Sequence, residues 1–245
     1  MYRVRAVGAS GLMYLGQTGR SLRGRARQLA VCYREEMPYN DPHTAAPCLW
    51  AYRVEDGLDF EISVSPVSPG EELRAVEDFL LWTYRRQAGR STACNFGRFH
   101  RHYTRPSNRR DGRAGRRLEG GASNPDAGPS LPPLYLQGTP TSPEWMGLAW
   151  SPPFPLAEAG SKAPSEPGVY RIWRAGETRL EYVGESLNLR SRLAAHGAKF
   201  AGPFLASFAV PPGPLRKYQL REIETDLLGA HYHQIGAPPA RQYGR

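Results

Sequence analysis

Apolar positions recur along the chain with two different spacings, and these predict hairpins followed by helices. Two stretches rich in β-branched and aromatic residues flank the turn-forming residues 175–178, so a β-hairpin is predicted over 169–183. Leu189 and Leu193 then recur at helical spacing, directly after polar residues that can cap a helix. Another helix is predicted near the end of the sequence by the apolar stripe of Leu220, Ile223, Leu227 and Leu228.

The chain contains this pattern twice. Tyr2 and Tyr170 are 168 residues apart, whereas Glu77 and Glu224 are 147 residues apart. The first copy therefore carries about twenty extra residues, which we expect near 39–43, where turn-forming residues crowd. Two copies are too few for a solenoid and indicate a duplicated domain. Further matched positions are Tyr14 with Tyr182, Leu22 with Leu189, Arg25 with Arg192, Leu73 with Leu220, and Leu81 with Leu228.

The repeat divides the chain into two domains and a connecting segment. The second copy runs to the end of the sequence, and by comparison the first copy occupies residues 1–100. Residues 101–133 are rich in Arg, Gly, Ser and Pro, a composition that buries little apolar surface, so we predict a disordered basic linker. Apolar residues then return, which predicts a C-terminal domain over 134–245 that begins with an extension packed on the domain proper.

The charge of the chain suggests a polyanionic partner. The 245 residues carry a formal net charge of +9, which favours nucleic acid first and an anionic membrane surface second, unless the charge serves only solubility. The linker arginines either follow a phosphate backbone or form a solvated basic tether. The linker residues proposed to bind nucleic acid are Arg109, Arg110, Arg116 and Arg117.

The cysteines and the apolar runs bear on the compartment. Three cysteines without close pairing are typical of a reduced, intracellular protein. No apolar run approaches the ~20 residues that span a bilayer, and the first residues lack the apolar core of a signal peptide. The expected location is the cytoplasm, without a membrane partner.

Several polar residues are predicted to share one surface of the second copy. Folding the hairpin about Gly176 places Tyr170 opposite Tyr182 on adjacent strands, an arrangement that alone is most often packing. Arg192 and His196, four residues apart, share a face of the following helix with its inward leucines. In the first copy the corresponding residues are Tyr2, Tyr14 and Arg25, and Leu29 stands in place of the histidine.

A glutamate accompanies the last apolar stripe in each copy. Glu224 lies beside Ile223, and Glu77 lies beside Val76. A carboxylate at the edge of a buried stripe is costly unless it forms a salt bridge or binds a cation. Either interpretation suits the residues taken singly.

Together these residues resemble the motifs of the GIY-YIG nucleases. The motif residues are Gly168-Val169-Tyr170, then Tyr182-Val183-Gly184, and then the helix arginine Arg192 with His196. The resemblance covers 168–245 closely and 1–98 more loosely. It implies an α/β fold of the α+β type, with two domains that each contain a small three-stranded antiparallel sheet flanked by helices.

The resemblance also implies roles for individual residues. Glu224, and Glu77 in the first copy, would hold a single Mg²⁺ or Mn²⁺ ion. Arg192 would neutralise charge on the phosphoryl oxygens, and a tyrosine, Tyr170 first, would accept a proton from the attacking water. The full catalytic set is Tyr170, Tyr182, Arg192, His196 and Glu224, with Tyr2, Tyr14, Arg25 and Glu77 in the first copy. Asn188 and Arg190 are the expected nucleic-acid contacts of the helix, and the asparagine that often follows the family glutamate corresponds to Asn95, with Gln242 in the second copy.

The expected activity is metal-dependent hydrolysis of phosphodiester bonds in DNA, by two nuclease-like domains in one chain that act as a monomeric pseudo-dimer. One alternative is a single active C-terminal domain with an N-terminal copy that grips DNA. Another is a nucleic-acid-binding protein without catalysis. RNA stays open as the substrate, because nothing in the sequence identifies a contact to a 2′-hydroxyl.

Overall fold

A computed structural model describes residues 1–68, 70, 72–200 and 202–244. The chain divides into two compact units, each with its own antiparallel sheet and packed helices, so the fold is α+β as expected. The first unit comprises 1–73 and 90–130, and the second comprises 74–89 and 131–245. Each unit therefore has one sheet of its own, and the boundaries of the units differ from those expected for the two sequence copies.

The first unit is built on a three-stranded sheet in the order β2-β1-β3. Every second residue of the central strand is buried, which is the pattern of a strand with one face on the core. Ser21 caps the helix after the hairpin by accepting a hydrogen bond from the Gly24 N–H at 3.2 Å. The elements are β1 (Tyr2–Ala6), β2 (Leu12–Gly16), α1 (Leu22–Leu29), a 3₁₀ turn (Ala30–Tyr33), α2 (Ala46–Asp56) and β3 (Phe60–Val64).

The extra residues of the first copy form a recognisable insertion. Between α1 and β3 they add the 3₁₀ turn, an extended segment and the helix α2. The insertion was expected near 39–43, and this segment lies within it. Helix α2 is buried along Ala46–Ala51 and supplies much of the core of the first unit, which also holds the three free cysteines.

The stretch predicted as a disordered linker is bonded into the first unit as far as Ser130. Asn124 donates from its side chain to the Tyr103 carbonyl at 2.6 Å, and Asn40 donates to the Pro106 carbonyl at the same distance. A backbone hydrogen bond also runs from the Thr104 N–H to the Arg116 carbonyl at 2.9 Å. Because these polar residues find partners in the folded unit, low apolar content did not leave the segment without contacts.

The second unit contains a four-stranded sheet in the order β4-β7-β5-β6. The expected three strands are present, and the short strand β4 adds a fourth at one edge. Trp145 and Trp150 of the segment expected as an N-terminal extension pack with Val169 and Trp173 in one buried cluster. The elements are α3 (Leu73–Ala88), β4 (Phe154–Pro155), α4 (Ala159–Lys162), β5 (Gly168–Arg174), β6 (Leu180–Ser186), α5 (Leu189–Gly197), β7 (Phe204–Ala209) and α6 (Lys217–Ile235).

Helix α3 comes from the first sequence copy, but it packs in the second unit against α6. Its Arg85 is fully buried and forms two hydrogen bonds to Asp226, at 2.8 and 3.0 Å. Arg85 also lies 3.7 Å from the Glu222 carboxylate. The predicted boundary at residue 100 is therefore wrong for this helix, because a buried ion pair binds it to the second unit.

The two hairpins share one register. Tyr2 pairs with Gly16, and Tyr170 pairs with Gly184, at positions related by the 168-residue offset. The register shifts after Val4 in one hairpin and after Ile172 in the other, again at matching positions. Within the described residues, no helix is long and apolar enough to cross a membrane.

Candidate active site

The tyrosines of the second unit are diagonal neighbours on the hairpin rather than direct partners. Tyr170 lies opposite Gly184, and Tyr182 lies opposite Ile172. The expected direct pairing of the tyrosines is therefore wrong, because each tyrosine lies two residues along its strand from the position opposite the other. They still share a face, and their rings stack with centroids 6.0 Å apart and planes 12° apart. The innermost pair, Trp173 with Leu180, is already displaced from a turn centred on Gly176, and an irregularity after Ile172 adds to the displacement.

Gly184 makes room for this arrangement. A Cβ atom at position 184 would overlap the Tyr170 ring and hydroxyl group. The glycine of the second motif therefore lets the Tyr170 ring lie flat across the neighbouring strand. Tyr170 is fully buried, whereas Tyr182 is partly exposed, so Tyr182 is the phenol of the pair that reaches solvent.

His196 joins the two tyrosines into one cluster, as its helix position predicts. Its Nε2 atom lies 2.8 Å from the Tyr170 hydroxyl, and its ring centroid lies 4.7 Å from that of Tyr182. Burial, together with the charges of Arg192 and Lys199, lowers the pKa of His196 to about 4. The ring is therefore neutral at physiological pH.

Arg192 lies beside this cluster on the exposed side of α5. Burial and the neighbouring Tyr182 raise the pKa of Tyr170 above the ordinary value, and the positive charge of Arg192 opposes this rise. Arg192 makes no hydrogen bond or ion pair with another side chain in the described part of the protein. An exposed guanidinium without a partner is suited to binding an anion.

Glu224 is a carboxyl group without a hydrogen-bond or ion-pair partner among the described residues. Burial, followed by the nearby carboxylates of Glu185 and Asp78, raises its pKa to about 8. Its charge also raises the pKa of Tyr182, after the larger effect of burial. The Glu224 carboxylate therefore lies near both the phenol cluster and two other acids, where a cation would relieve the repulsion.

Glu222, two residues earlier on α6, has its full set of partners. It is completely buried, lies 3.7 Å from Arg85 and accepts a hydrogen bond from the Leu131 N–H at 2.8 Å. Of the two glutamates, only Glu224 is left with a carboxylate to offer a ligand. No group of three or more metal-binding side chains occurs in the described parts of the chain. Mg²⁺ commonly uses only one or two protein carboxylates and keeps several waters.

The first unit contains the same cluster, with its histidine from a different source. Tyr2 and Tyr14 have ring centroids 6.0 Å apart, and Gly16 provides the same space for the Tyr2 ring that Gly184 provides for Tyr170. Helix α1 has Leu29 at the histidine position, but His43 of the insertion takes its place. Its Nε2 atom lies 2.7 Å from the Tyr2 hydroxyl, and its ring lies 5.4 Å from Tyr14.

His43 was not among the expected site residues. Leu29 occupies the histidine position of α1, and the repeat alignment has no counterpart for the inserted residues. The one available signal was a histidine in a turn-rich insertion, which alone indicates little. Burial and the charge of Arg25 lower the pKa of His43 to about 4, as happens for His196.

Arg25 and Glu77, the remaining expected site residues of the first copy, belong to different compact units. Arg25 donates from Nη1 to the Pro42 carbonyl at 3.2 Å and lines an open cleft of about 490 Å³ in the first unit. Glu77 lies on α3, which belongs to the second unit, whereas Tyr2, Tyr14 and Arg25 belong to the first. The expected grouping therefore does not fall within one compact unit.

Asn95 and Gln242, the residues expected at the asparagine position, form hydrogen bonds with the backbone of the two hairpins. Asn95 accepts from the Leu15 N–H at 2.9 Å and donates to the Leu15 carbonyl at 2.8 Å. Gln242 accepts from the Val183 N–H at 3.0 Å, and Val183 matches Leu15 in the repeat. Both amides therefore replace the missing neighbour strand at the edge of a hairpin.

The expected nucleic-acid contacts divide into bonded and exposed residues. Asn188 caps α5 by accepting from the Ser191 N–H at 3.0 Å, and Arg190 donates to the Ala163 carbonyl at 2.9 Å. Arg117 is paired with Glu55. Exposed side chains in the same part of the first unit are those of Arg109, Arg110 and Arg116.

Comparison with known proteins returns no match to a protein-family model, to a curated protein or to a solved structure.

Proposed function

We propose that this chain is a metal-dependent endonuclease of the GIY-YIG type that hydrolyses phosphodiester bonds in DNA. The observation that carries the proposal is the cluster of Tyr170, Tyr182 and His196, with the unpaired Arg192 and Glu224 side chains beside it. A carboxyl group withdrawn from water without a partner is costly, whereas the exposed Arg192 guanidinium is solvated and available to bind an anion. A phosphodiester and a divalent cation would provide partners for both.

Glu224 fits a metal ligand because it is unpaired and close to other acids. When bound, Mg²⁺ or Mn²⁺ would supply positive charge that polarises the phosphate and stabilises the leaving oxygen. Arg192 would hold a non-bridging phosphate oxygen and offset the charge that develops on it. Both residues therefore act on the substrate phosphate, from α6 and α5.

Tyr182, as the phenolate that the charge of Arg192 would favour, is the better candidate for accepting the proton of the attacking water. Tyr170 was the expected base, but its side chain is fully buried and its hydroxyl is bonded to His196. Tyr182 is partly exposed. The charge of Glu224 raises the pKa of Tyr182, and the charge of Arg192 lowers it. Tyr170 and His196 would then hold the Tyr182 ring in place.

The first unit supports a second site, because it repeats the two tyrosines, the histidine contact and the arginine. Two sites would let one chain cut both strands of a duplex without dimerising. A single active site has its own support, since Glu77 belongs to the second unit. Separate Glu77→Ala and Glu224→Ala variants distinguish the two cases on supercoiled plasmid: two sites predict that each variant nicks but no longer linearises.

The direct test of the activity uses purified protein with supercoiled, linear and single-stranded DNA, and with RNA. We expect strand scission that needs Mg²⁺ or Mn²⁺ and is abolished by EDTA. Binding without scission on every substrate, with both metals, would show instead a nucleic-acid-binding protein. Cleavage confined to RNA would retain the site and change the substrate.

A further inference from the structure

The inserted segment of the first unit is tied to both the tyrosine pair and the arginine. His43 contacts the Tyr2 hydroxyl through Nε2 at 2.7 Å, and the preceding residue, Pro42, accepts a hydrogen bond from Arg25 at 3.2 Å. One short segment therefore connects the sheet to the guanidinium of α1. In the second unit the histidine and the arginine are both on α5, and no inserted segment joins them among the residues that the structure describes.

The hydrogen bonds of His43 determine which nitrogen carries its proton. The Ala45 N–H donates to Nδ1 at 3.1 Å, so Nδ1 is an acceptor and the ring proton lies on Nε2. The Nε2–H group then donates to the Tyr2 oxygen. His196 differs, since its Nδ1 is buried and has no hydrogen-bond partner among the described residues.

Arg25 lines an open cleft of about 490 Å³ whose polar lining suits an anion. The exposed Arg20 guanidinium lies on the same cleft, together with the amides of Gln17 and Gln28. None of the described residues that line the cleft is acidic. Two arginines and two amide side chains are donors of the kind that hold phosphate oxygens.

We propose that this cleft is a second phosphodiester-binding site and that His43 is its positioning residue. His43 anchors the inserted segment to Tyr2, and the Pro42 carbonyl of that segment directs Arg25 into the cleft. The inference rests on the proposed function for its ligand, a nucleic-acid backbone, but it concerns binding and needs no cleavage.

Long-range ¹H–¹⁵N spectra of the labelled full-length chain test the proposal. The chain has only six histidines, and the His43 signals are assigned as those lost in His43→Gln. We expect the proton on Nε2 at neutral pH. We also expect a short DNA duplex, added in EDTA so that no strand is cut, to shift both the His43 and the His196 signals. A proton on Nδ1, or a response of His196 alone, would overturn the proposal.

Arginine variants show whether the cleft holds the phosphate. In the double variant Arg20→Ala/Arg25→Ala, DNA should no longer shift the His43 signals but should still shift those of His196. The slope of binding against salt should fall by about 2, one unit for each phosphate contact removed. An unchanged slope with a persisting His43 shift would refute the assignment of the cleft.

Two substitutions of His43 separate positioning from packing. Gln keeps a donor where Nε2 stands, whereas Leu keeps bulk and loses the donor. In a chain that also carries Arg192→Ala, which removes the expected phosphate contact of the second unit, we expect His43→Leu to weaken DNA binding about tenfold. His43→Gln should stay within about threefold of the parent. Equal effects of Leu and Gln would contradict a positioning role. Because each readout is binding, failure of the nuclease proposal alone would leave these results standing.

Discussion

Tyr170 lies directly across the hairpin from Gly184, and its ring fills the space that a side chain at position 184 would need. Tyr2 and Gly16 have the same relationship in the first unit. In each hairpin, the glycine of the second motif thus sets the position of the tyrosine of the first. The glycine therefore has a structural role, which is to leave space for the tyrosine ring, and the sequence alone does not show this role.

Replacing Gly184 by alanine should therefore displace Tyr170 and disturb the cluster. Overpacking of this kind typically costs about 1–3 kcal/mol, and we expect that loss in the free energy of unfolding together with a marked loss of cleavage. Chemical denaturation and plasmid cleavage measure the two effects. Gly160→Ala is the control, because a Cβ atom there meets nothing within 4 Å. Equal stability of the two variants would show that the hairpin adapts without moving Tyr170.

Tyr182, the partly exposed phenol, should contribute more to kcat than the buried Tyr170. Tyr182→Phe removes the proposed proton acceptor, so we expect a fall in kcat of about 10²–10⁴. Tyr170→Phe removes only the hydroxyl bonded to His196, and its effect on kcat should be smaller. Single-turnover cleavage assays at matched metal concentration compare them. The reverse order of effects would restore Tyr170 as the base.

Glu224→Ala and Arg192→Ala should each abolish cleavage by the second unit while the chain still binds DNA. Glu224 offers the unpaired carboxylate, and Arg192 the unpaired cation, so neither change removes a folding contact. Cleavage assays and fluorescence anisotropy with labelled DNA separate the two properties. Glu177→Ala, in the exposed hairpin turn, serves as the matched control for loss of an acid. Normal turnover of either site variant at both strands would remove these residues from the mechanism.

The raised pKa of Glu224 predicts a pH dependence of stability. Its pKa is about 8 in the folded protein against an ordinary value of 4.5, so between these values the folded state binds more protons than the unfolded state. The contribution of this group to stability is complete below about pH 4.5 and is lost as the pH rises through 8. In EDTA, the wild type should therefore lose more stability than Glu224→Gln over this range.

A bound metal ion should oppose the loss of stability that we expect as the pH rises. Binding to the ionised Glu224 favours the folded state, so Mg²⁺ should raise the Tm of the wild type most at about pH 8 and release protons below it. Glu224→Gln should show neither effect. Thermal melts and calorimetry in two buffers of different ionisation enthalpy measure them. A Tm increase that persists in Glu224→Gln would place the cation elsewhere.

The buried ion pair between α3 and α6 should dominate the attachment of α3. Asp226→Asn leaves the Arg85 charge without its main partner in the interior, so we expect a loss of about 3–5 kcal/mol in the free energy of unfolding. Equilibrium denaturation checks this value. Arg90→Ala, which changes an exposed arginine near the end of the same helix, should have little effect. A loss below about 1 kcal/mol would mean that the interior relaxes around Arg85 or admits water to it.

Periodicity and the repeat predicted much of the fold. Two hairpins, the helices after them and the insertion in the first copy all follow from the spacing of apolar residues and from two sequence offsets. The register did not follow, because the turn itself is displaced from Gly176 and a shift after Ile172 adds to that displacement, so that Tyr170 lies opposite Gly184 and Tyr182 lies opposite Ile172. Such irregularities leave no mark in a pattern with a period of two residues.

The sequence predicted the relative positions of those candidate-site residues that lie on the same helix. Arg192 and His196 are four residues apart on α5, so helical geometry places them together. His43 lies in an irregular segment, and the contact with Tyr2 depends on how that segment folds across the sheet. The assignment of α3 to the second unit was also beyond the sequence, since it depends on the pairing of Arg85 with residues about 140 positions away.

Where α3 meets α6, the Trp82 side chain lies against Gly229, and Asp78 approaches Thr225 at 3.4 Å. Each pair occupies positions related by the 147-residue offset, so each residue touches its own counterpart from the other copy. A tryptophan fits there only because the opposite helix has no side chain at that point. Two identical copies would place two indoles, or two empty surfaces, in the same space. The two helices have thus become unlike at this contact, where the absence of a side chain on α6 makes room for the indole on α3.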